Sequence, residues 1–150
     1  MKVLVSYDSR FGNTERLARA MAQTLAIAHE VTVRRVDEGP LDLSGYDLAV
    51  IGGPTHGHTA SAPLKTALER LPHRALPGLR VALFDTRFRL ARLLTGSAAA
   101  TGARLVKSRG IALAAPGESF FVTKGGEPAL EDGELERAAA WAESLVANRL

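Results

Sequence analysis

The chain has no cysteine among its 150 residues. That removes disulfides, thiolate-held metals, cysteine nucleophiles and cysteine-ligated iron–sulfur clusters together. It fits a reducing compartment. Long apolar runs are missing as well. No stretch approaches the roughly 20 apolar residues of a membrane span. The first apolar run, Val3-Leu4-Val5, is too short for a signal-peptide core. A soluble, cytoplasmic protein with no membrane partner is the expectation. Several catalytic signatures are also absent. There is no Gly-x-Ser-x-Gly elbow for a hydrolase triad, no Walker A loop and no GxGxxG. The acidic pairs Asp37-Glu38 and Glu131-Asp132 sit in polar stretches and read as solvated.

No internal repeat, low-complexity segment or linker divides the sequence. One domain over residues 1–150 is expected, large enough to bury its own core. Nineteen Lys and Arg face sixteen Asp and Glu, a net charge of +3. A surplus this small fits a solvated basic surface better than a nucleic-acid interface.

The apolar pattern alternates between strand and helix periods. KVLVSY at 2–7 reads as a strand ended by Asp8 and Ser9. From 13 to about 28, Leu17, Met21, Ala22 and Leu25 share a helical face. Residues 30–36 alternate like an edge or half-buried strand. LAVI at 48–51 is a continuous apolar strand, suited to cover on both faces, and Gly52-Gly53-Pro54 should stop it. A loop at 55–61 precedes a helix starting near Pro63, with Leu64, Leu68 and Leu71 on one face. Residues 72–78 break that helix. A strand at 79–84, a helix at 90–107 weakened by Gly96 and Gly102, a strand at 110–115, an extended piece at 119–122 and a helix at 133–146 complete the chain. This alternation predicts an α/β, doubly wound, five-stranded parallel sheet in the order 2-1-3-4-5. Its ligand crevice should lie at the carboxyl ends of strands 1 and 3.

Three loops should meet there. The first is Ser9-Arg10-Phe11-Gly12-Asn13-Thr14. At a helix N-terminus it would offer backbone amides, two hydroxyls and an amide side chain to a phosphate. Ser, Asn and Thr serve equally as ordinary helix caps, and both readings stand on these residues alone. The second loop, Gly52-Gly53-Pro54-Thr55-His56-Gly57-His58-Thr59, offers main chain to a flat ligand. Its two histidines lack a third zinc ligand at a recognised spacing, so they read as a ligand contact or as residues with no role. The third, Asp85-Thr86-Arg87-Phe88-Arg89, offers Asp85 and Thr86 to a heterocycle edge. Phe88 reads as an aromatic wall or as a core residue. A phosphoryl receiver would need an aspartate after strand 3, where this chain has Gly-Gly-Pro-Thr.

At these positions the sequence resembles the flavodoxin family, over the whole chain in element order and spacing. Ser9-Arg10-Phe11-Gly12-Asn13-Thr14-Glu15 looks like the family's Thr/Ser-x-Thr-Gly-x-Thr phosphate loop. Ile51-Gly52-Gly53-Pro54-Thr55-His56-Gly57 looks like its loop on the flavin ring. The helix bearing Trp141 is similar to its last helix, and the absence of a long insertion in the fifth strand is similar to the short-chain type. The resemblance implies a flavodoxin-like fold. It implies FMN held by its phosphate at Ser9, Arg10, Phe11, Gly12, Asn13 and Thr14. The ring would lie between Pro54, Thr55, His56 and Gly57 on one side and Asp85, Thr86, Arg87 and Phe88 on the other. Phe11 stands in place of a hydroxyl residue, as in flavodoxin-like quinone reductases. His56 stands where flavodoxins often have Trp or Tyr. Asp-Thr-Arg-Phe replaces the usual Gly-x-Gly-Asp.

The implied function is electron transfer by an FMN-binding protein. The alternatives are an FMN-dependent quinone or NAD(P)H reductase, and an interaction module without flavin. Electron-shuttling flavodoxins are typically acidic, whereas this chain carries Arg87, Arg89, Arg92, Arg104, Lys107 and Arg109 against Asp85 alone between 85 and 109. The expectation is therefore an acidic redox partner protein, or a role other than that of a shuttle. Cations near the crevice would also favour the anionic form of reduced FMN and raise its midpoint potential.

Overall fold

The computed structural model describes residues 1–56, 58–74 and 76–147, with Arg92 and Leu93 described by backbone only. The first strand, β1 (Lys2–Tyr7), is followed by α1 (Asn13–Leu25) and β2 (Glu30–Arg35). Then come β3 (Leu48–His56), the short β4 (Thr59–Ala60) and α2 (Ala62–Glu69). The second half holds β5 (Arg80–Phe88), α3 (Arg92–Thr95), α4 (Ala98–Ser108), β6 (Ala112–Leu113), β7 (Glu118–Val122) and α5 (Glu134–Ala147).

The sheet runs β2-β1-β3-β5, all parallel, and β6 and β7 pair in turn with β5. Together β6 and β7 occupy the fifth position, so the expected order holds. The fifth strand is broken at 114–117, where Pro116 removes a ladder donor. Successive side chains alternate between two cores, as the pleat demands. Leu4, Ala49, Ile51, Val81 and Leu83 face α2 and α4. Val3, Val5, Val50, Ala82 and Phe84 face α1 and α5. In the second layer Phe84, Phe120 and Trp141 meet edge to face, with ring centroids 5.9–6.2 Å apart.

Several boundaries differ from the sequence expectation: the first helix ends at Leu25, and the strand expected at 79–84 runs on to Phe88, so that residues 85–88 of the expected third loop are strand. The strand at 48–51 does not stop at Gly52-Gly53-Pro54 but continues to His56, and Pro54 pairs with Thr86. Gly52 is needed for packing: a Cβ there would sit 2.3 Å from the Phe84 ring. These glycines are buried beneath neighbouring side chains and do not offer main chain to a ligand. The helix expected at 90–107 is split into α3 and α4. At the break Gly96 has φ 70° and bridges to His58, and the Ser97 side chain caps α4 by accepting from the Ala100 amide.

Candidate functional site

Parallel strands place their following loops at one edge of the sheet. Here the ends of β1, β3, β5 and β7 surround a cleft of about 480 Å³, within the range of small-molecule sites. Ser9, Arg10, Phe11, Asn13 and Thr14 line it from the first loop. Pro54, Thr55 and His56 line it from β3, and Thr86, Arg87 and Phe88 from β5. Gly57 lies outside the described residues.

The floor is the start of α1. Its N-cap is Gly12, in the left-handed region at φ 88°, and no side chain caps the helix from that position. A left-handed residue is cheap only for glycine and a few polar residues. The first-turn amides of a helix have no partners within it. Of these, the Glu15 amide donates to Ser9 Oγ at 3.3 Å. The Thr14 hydroxyl is buried and shares a hydrogen bond of 3.4 Å with the Thr86 hydroxyl of β5. Asn13 lines the cleft, but its amide donates to the Pro128 carbonyl at 2.9 Å. Arg10 stands at the exposed rim with its guanidinium 5.8 Å from the Phe11 ring.

The walls are more apolar. Phe88 ends β5, half-buried, and lines the cleft instead of joining the core. Thr55 accepts from the Ala98 amide at 3.0 Å, which joins the β3 end to α4. Arg87 is folded inward, donating to Ser119 Oγ, to the Leu90 carbonyl and to Thr95 Oγ1.

Asp85 departs from the sequence expectation. It is fully buried, and its Oδ2 accepts from Ser97 Oγ and the Ala99 amide. The carboxylate points away from the cleft because it holds the first turn of α4. The cation cluster read between 85 and 109 is also dispersed. Arg89 pairs with Glu131. Arg109 donates to the Glu69 and Leu71 carbonyls at the end of α2, while Arg104 and Lys107 lie on α4 and do not line the cleft. The Arg92 side chain lies outside the described atoms.

His58, one of the two histidines read as a ligand contact or as residues with no role, lines the cleft; sequence reasoning missed Leu90, Leu94 and Thr95, and also Val122, Lys124 and Pro128, which line it too. Of the last three, Val122 ends the fifth strand and Lys124 and Pro128 follow it, in Val-Thr-Lys-Gly-Gly-Glu-Pro. A Gly-Gly turn at a strand's carboxyl end was a sufficient signal, since ligands gather at those ends. Phe11, Leu90 and Leu94 are three of the four large apolar side chains that are exposed among the described residues. No carboxylate lines the cleft among the described residues, whereas Arg10, Arg87 and Lys124 do. Among the described residues no cluster of His, Asp and Glu could hold a metal. No described helix is long and apolar enough to cross a membrane.

Solved structures share this fold. Oxidised flavodoxin 1 of Bacillus cereus superposes with a TM-score of 0.80 at 22% identity, over 100% of both chains. A flavodoxin of Streptococcus pneumoniae gives 0.78 at 20% identity, over 99% of this chain and 100% of the other. Rubredoxin:oxygen oxidoreductase of Desulfovibrio gigas gives 0.74 at 16%, matching 96% of this chain but 35% of that one. At these identities the likeness is one of fold. No curated protein sequence matches the chain. A family model described as a flavodoxin domain matches residues 4–90, which takes in the first loop, β3 and all of β5. Flavodoxins are FMN-binding proteins. The chain belongs to the flavodoxin family.

Proposed function

We propose that this chain binds FMN in the cleft and serves as an electron-transfer protein. The observation that carries the reading is the start of α1. Gly12 caps it in a left-handed conformation with no side chain of its own; Ser9 Oγ takes the Glu15 amide, and the earlier amides of the first turn, which no helical carbonyl can serve, face an anion at the cleft floor. Ser9 and Thr14 add hydroxyls beside them. These residues fit a phosphate. The ring would rest among Pro54, Thr55 and His56 on one side and Thr86, Phe88, Leu90 and Val122 on the other. Bound FMN supplies the redox chemistry; the chain contributes binding, orientation, exclusion of water and electrostatics.

The rim supports a protein partner of stated charge. Exposed Phe11, Leu90 and Leu94 ring the cleft mouth, with Arg10 and Lys124 beside them. An apolar centre flanked by cations suits an acidic redox partner and would slow docking with a basic one.

The test is the absorption spectrum of the purified protein before and after adding FMN. Bound-flavin bands and quenched FMN fluorescence are expected. A colourless protein that leaves FMN fluorescence unchanged rejects the reading. Bleaching of bound flavin by a nicotinamide cofactor alone would make it a reductase instead. For the partner, the holoprotein should reduce an acidic haem protein faster at low salt than at high salt. Lys124→Glu should weaken that dependence. An unchanged salt profile rejects the acidic partner.

A further inference from the structure

Asp8 joins β1 to the first loop and is 8% exposed. A carboxylate so placed needs partners, and Asp8 has them on two sides. Ser61 Oγ donates to its Oδ2. Arg35 Nη2 stands 3.9 Å from its Oδ1 and donates to the Ser9 carbonyl at 3.3 Å. The Asp8 amide donates to the Gly52 carbonyl at 3.0 Å, which pins the residue to β3.

Ser61 is the informative partner. It is the N-cap of α2, where a serine normally accepts from a helix amide. Its side chain makes no such bond, and its hydroxyl donates to Asp8. The helix forgoes a side-chain cap, and the chain gains a tie between two loops separated by 53 positions in sequence. Ser61 directly follows β4, which pairs with the end of β3 through Thr55 with Ala60 and His56 with Thr59. Two rungs are few for a hairpin, and such a piece depends on outside contacts to keep its place. This hairpin brings Thr55, His56 and His58 to the cleft.

From this geometry we infer that Asp8 is a positioning residue, which through Ser61 holds the β3–β4 hairpin at the cleft and thereby sets the ring half of the FMN site. The inference rests on the FMN reading above. It assigns the two halves of the site to different supports. The phosphate half depends on Gly12 and the start of α1. The ring half depends on a carboxylate that touches no ligand.

Riboflavin, which lacks the phosphate, separates the two halves. Ser61→Ala and Asp8→Ala should each weaken FMN and riboflavin binding by a similar factor, about tenfold for a lost buried hydrogen bond. The ratio of the two affinities should stay at the wild-type value. Asp8→Asn keeps an acceptor for Ser61 and should recover most of the loss. Thermal unfolding of the flavin-free proteins, run in parallel, identifies any variant that fails to fold; Ser61→Ala and Asp8→Asn then carry the comparison. Wild-type affinity for both flavins in Ser61→Ala overturns the inference. So does a loss confined to FMN, which would put the effect at the phosphate. A wild-type protein that binds neither flavin overturns the FMN reading and this inference with it.

Discussion

The buried carboxylate of Asp85 accepts a hydrogen bond from Ser97 Oγ at 2.6 Å and a second from the Ala99 amide at 2.9 Å. Asp85 lies in β5, and Ser97 is the N-cap of α4. One side chain thus joins the strand that walls the cleft to the helix that packs behind it. Asp85→Ala would leave the Ala99 amide and the Ser97 hydroxyl without this acceptor. A loss of about 2–3 kcal/mol is expected, or roughly 4–12 °C in Tm for a chain of this size. Because the carboxylate faces away from the cleft, stability should fall more than FMN affinity. Thermal denaturation and FMN titration of the variant measure the two, and a large affinity loss at unchanged Tm would contradict the assignment.

Gly12 has φ 88° and open space where a Cβ would project. The cost of replacing it is therefore backbone strain without a steric clash, on the order of 1–2 kcal/mol. Gly12→Val should move the first-turn amides of α1 and lower FMN affinity at least about tenfold, a change of about 1.4 kcal/mol. Riboflavin binding should change little. Gly12→Asn should retain more FMN affinity, because asparagine visits the left-handed region. Fluorescence titration with both flavins tests the contrast.

Gly52 meets Phe84 across the sheet interior, with 2.3 Å between the ring and the point a methyl carbon on Gly52 would occupy. Gly52→Ala should destabilise the fold by about 3 kcal/mol, the upper range for overpacking. Trimming the ring in Gly52→Ala/Phe84→Leu should recover part of it. Urea unfolding of the two variants decides. Equal stabilities would remove the packing role given to this glycine.

Glu134 opens α5, buried, with its carboxylate held by Arg137 at 2.8 and 2.9 Å and by the Phe121 amide at 2.8 Å. The Arg137 hydrogen bonds, followed by the Phe121 amide, hold its carboxyl below the ordinary glutamate range against the opposing effect of burial. A folded pKa below the unfolded one stabilises the protein above the unfolded value. That stabilisation is lost as pH falls through the folded value. Stability should therefore decline below about pH 4.3. Glu134→Gln should be less stable at neutral pH and should show a shallower decline. Denaturant midpoints across pH 3–7 check this, and parallel profiles would exclude Glu134 as a source of the acid sensitivity.

Local pattern alone determined much of this protein. The short β-rich run at 2–7 and the helical face of Leu17, Met21, Ala22 and Leu25 belong to neighbouring residues, so β1 and α1 were legible directly. Their alternation with the later elements led to a doubly wound sheet, and its topology brought Ser9, Thr14, Thr55 and Phe88 to one cleft. Contacts between distant segments decided the rest. Whether Gly52 ends a strand or makes room within one depends on a Phe84 ring 32 positions away. Asp85 turned from the cleft because the α4 N-terminus supplied two donors on its other side. The basic stretch between 85 and 109 was scattered because β5, α3 and α4 carry its members to different places. Side-chain period is a property of the local backbone, but the partner of a buried polar group is chosen by whatever the fold brings beside it.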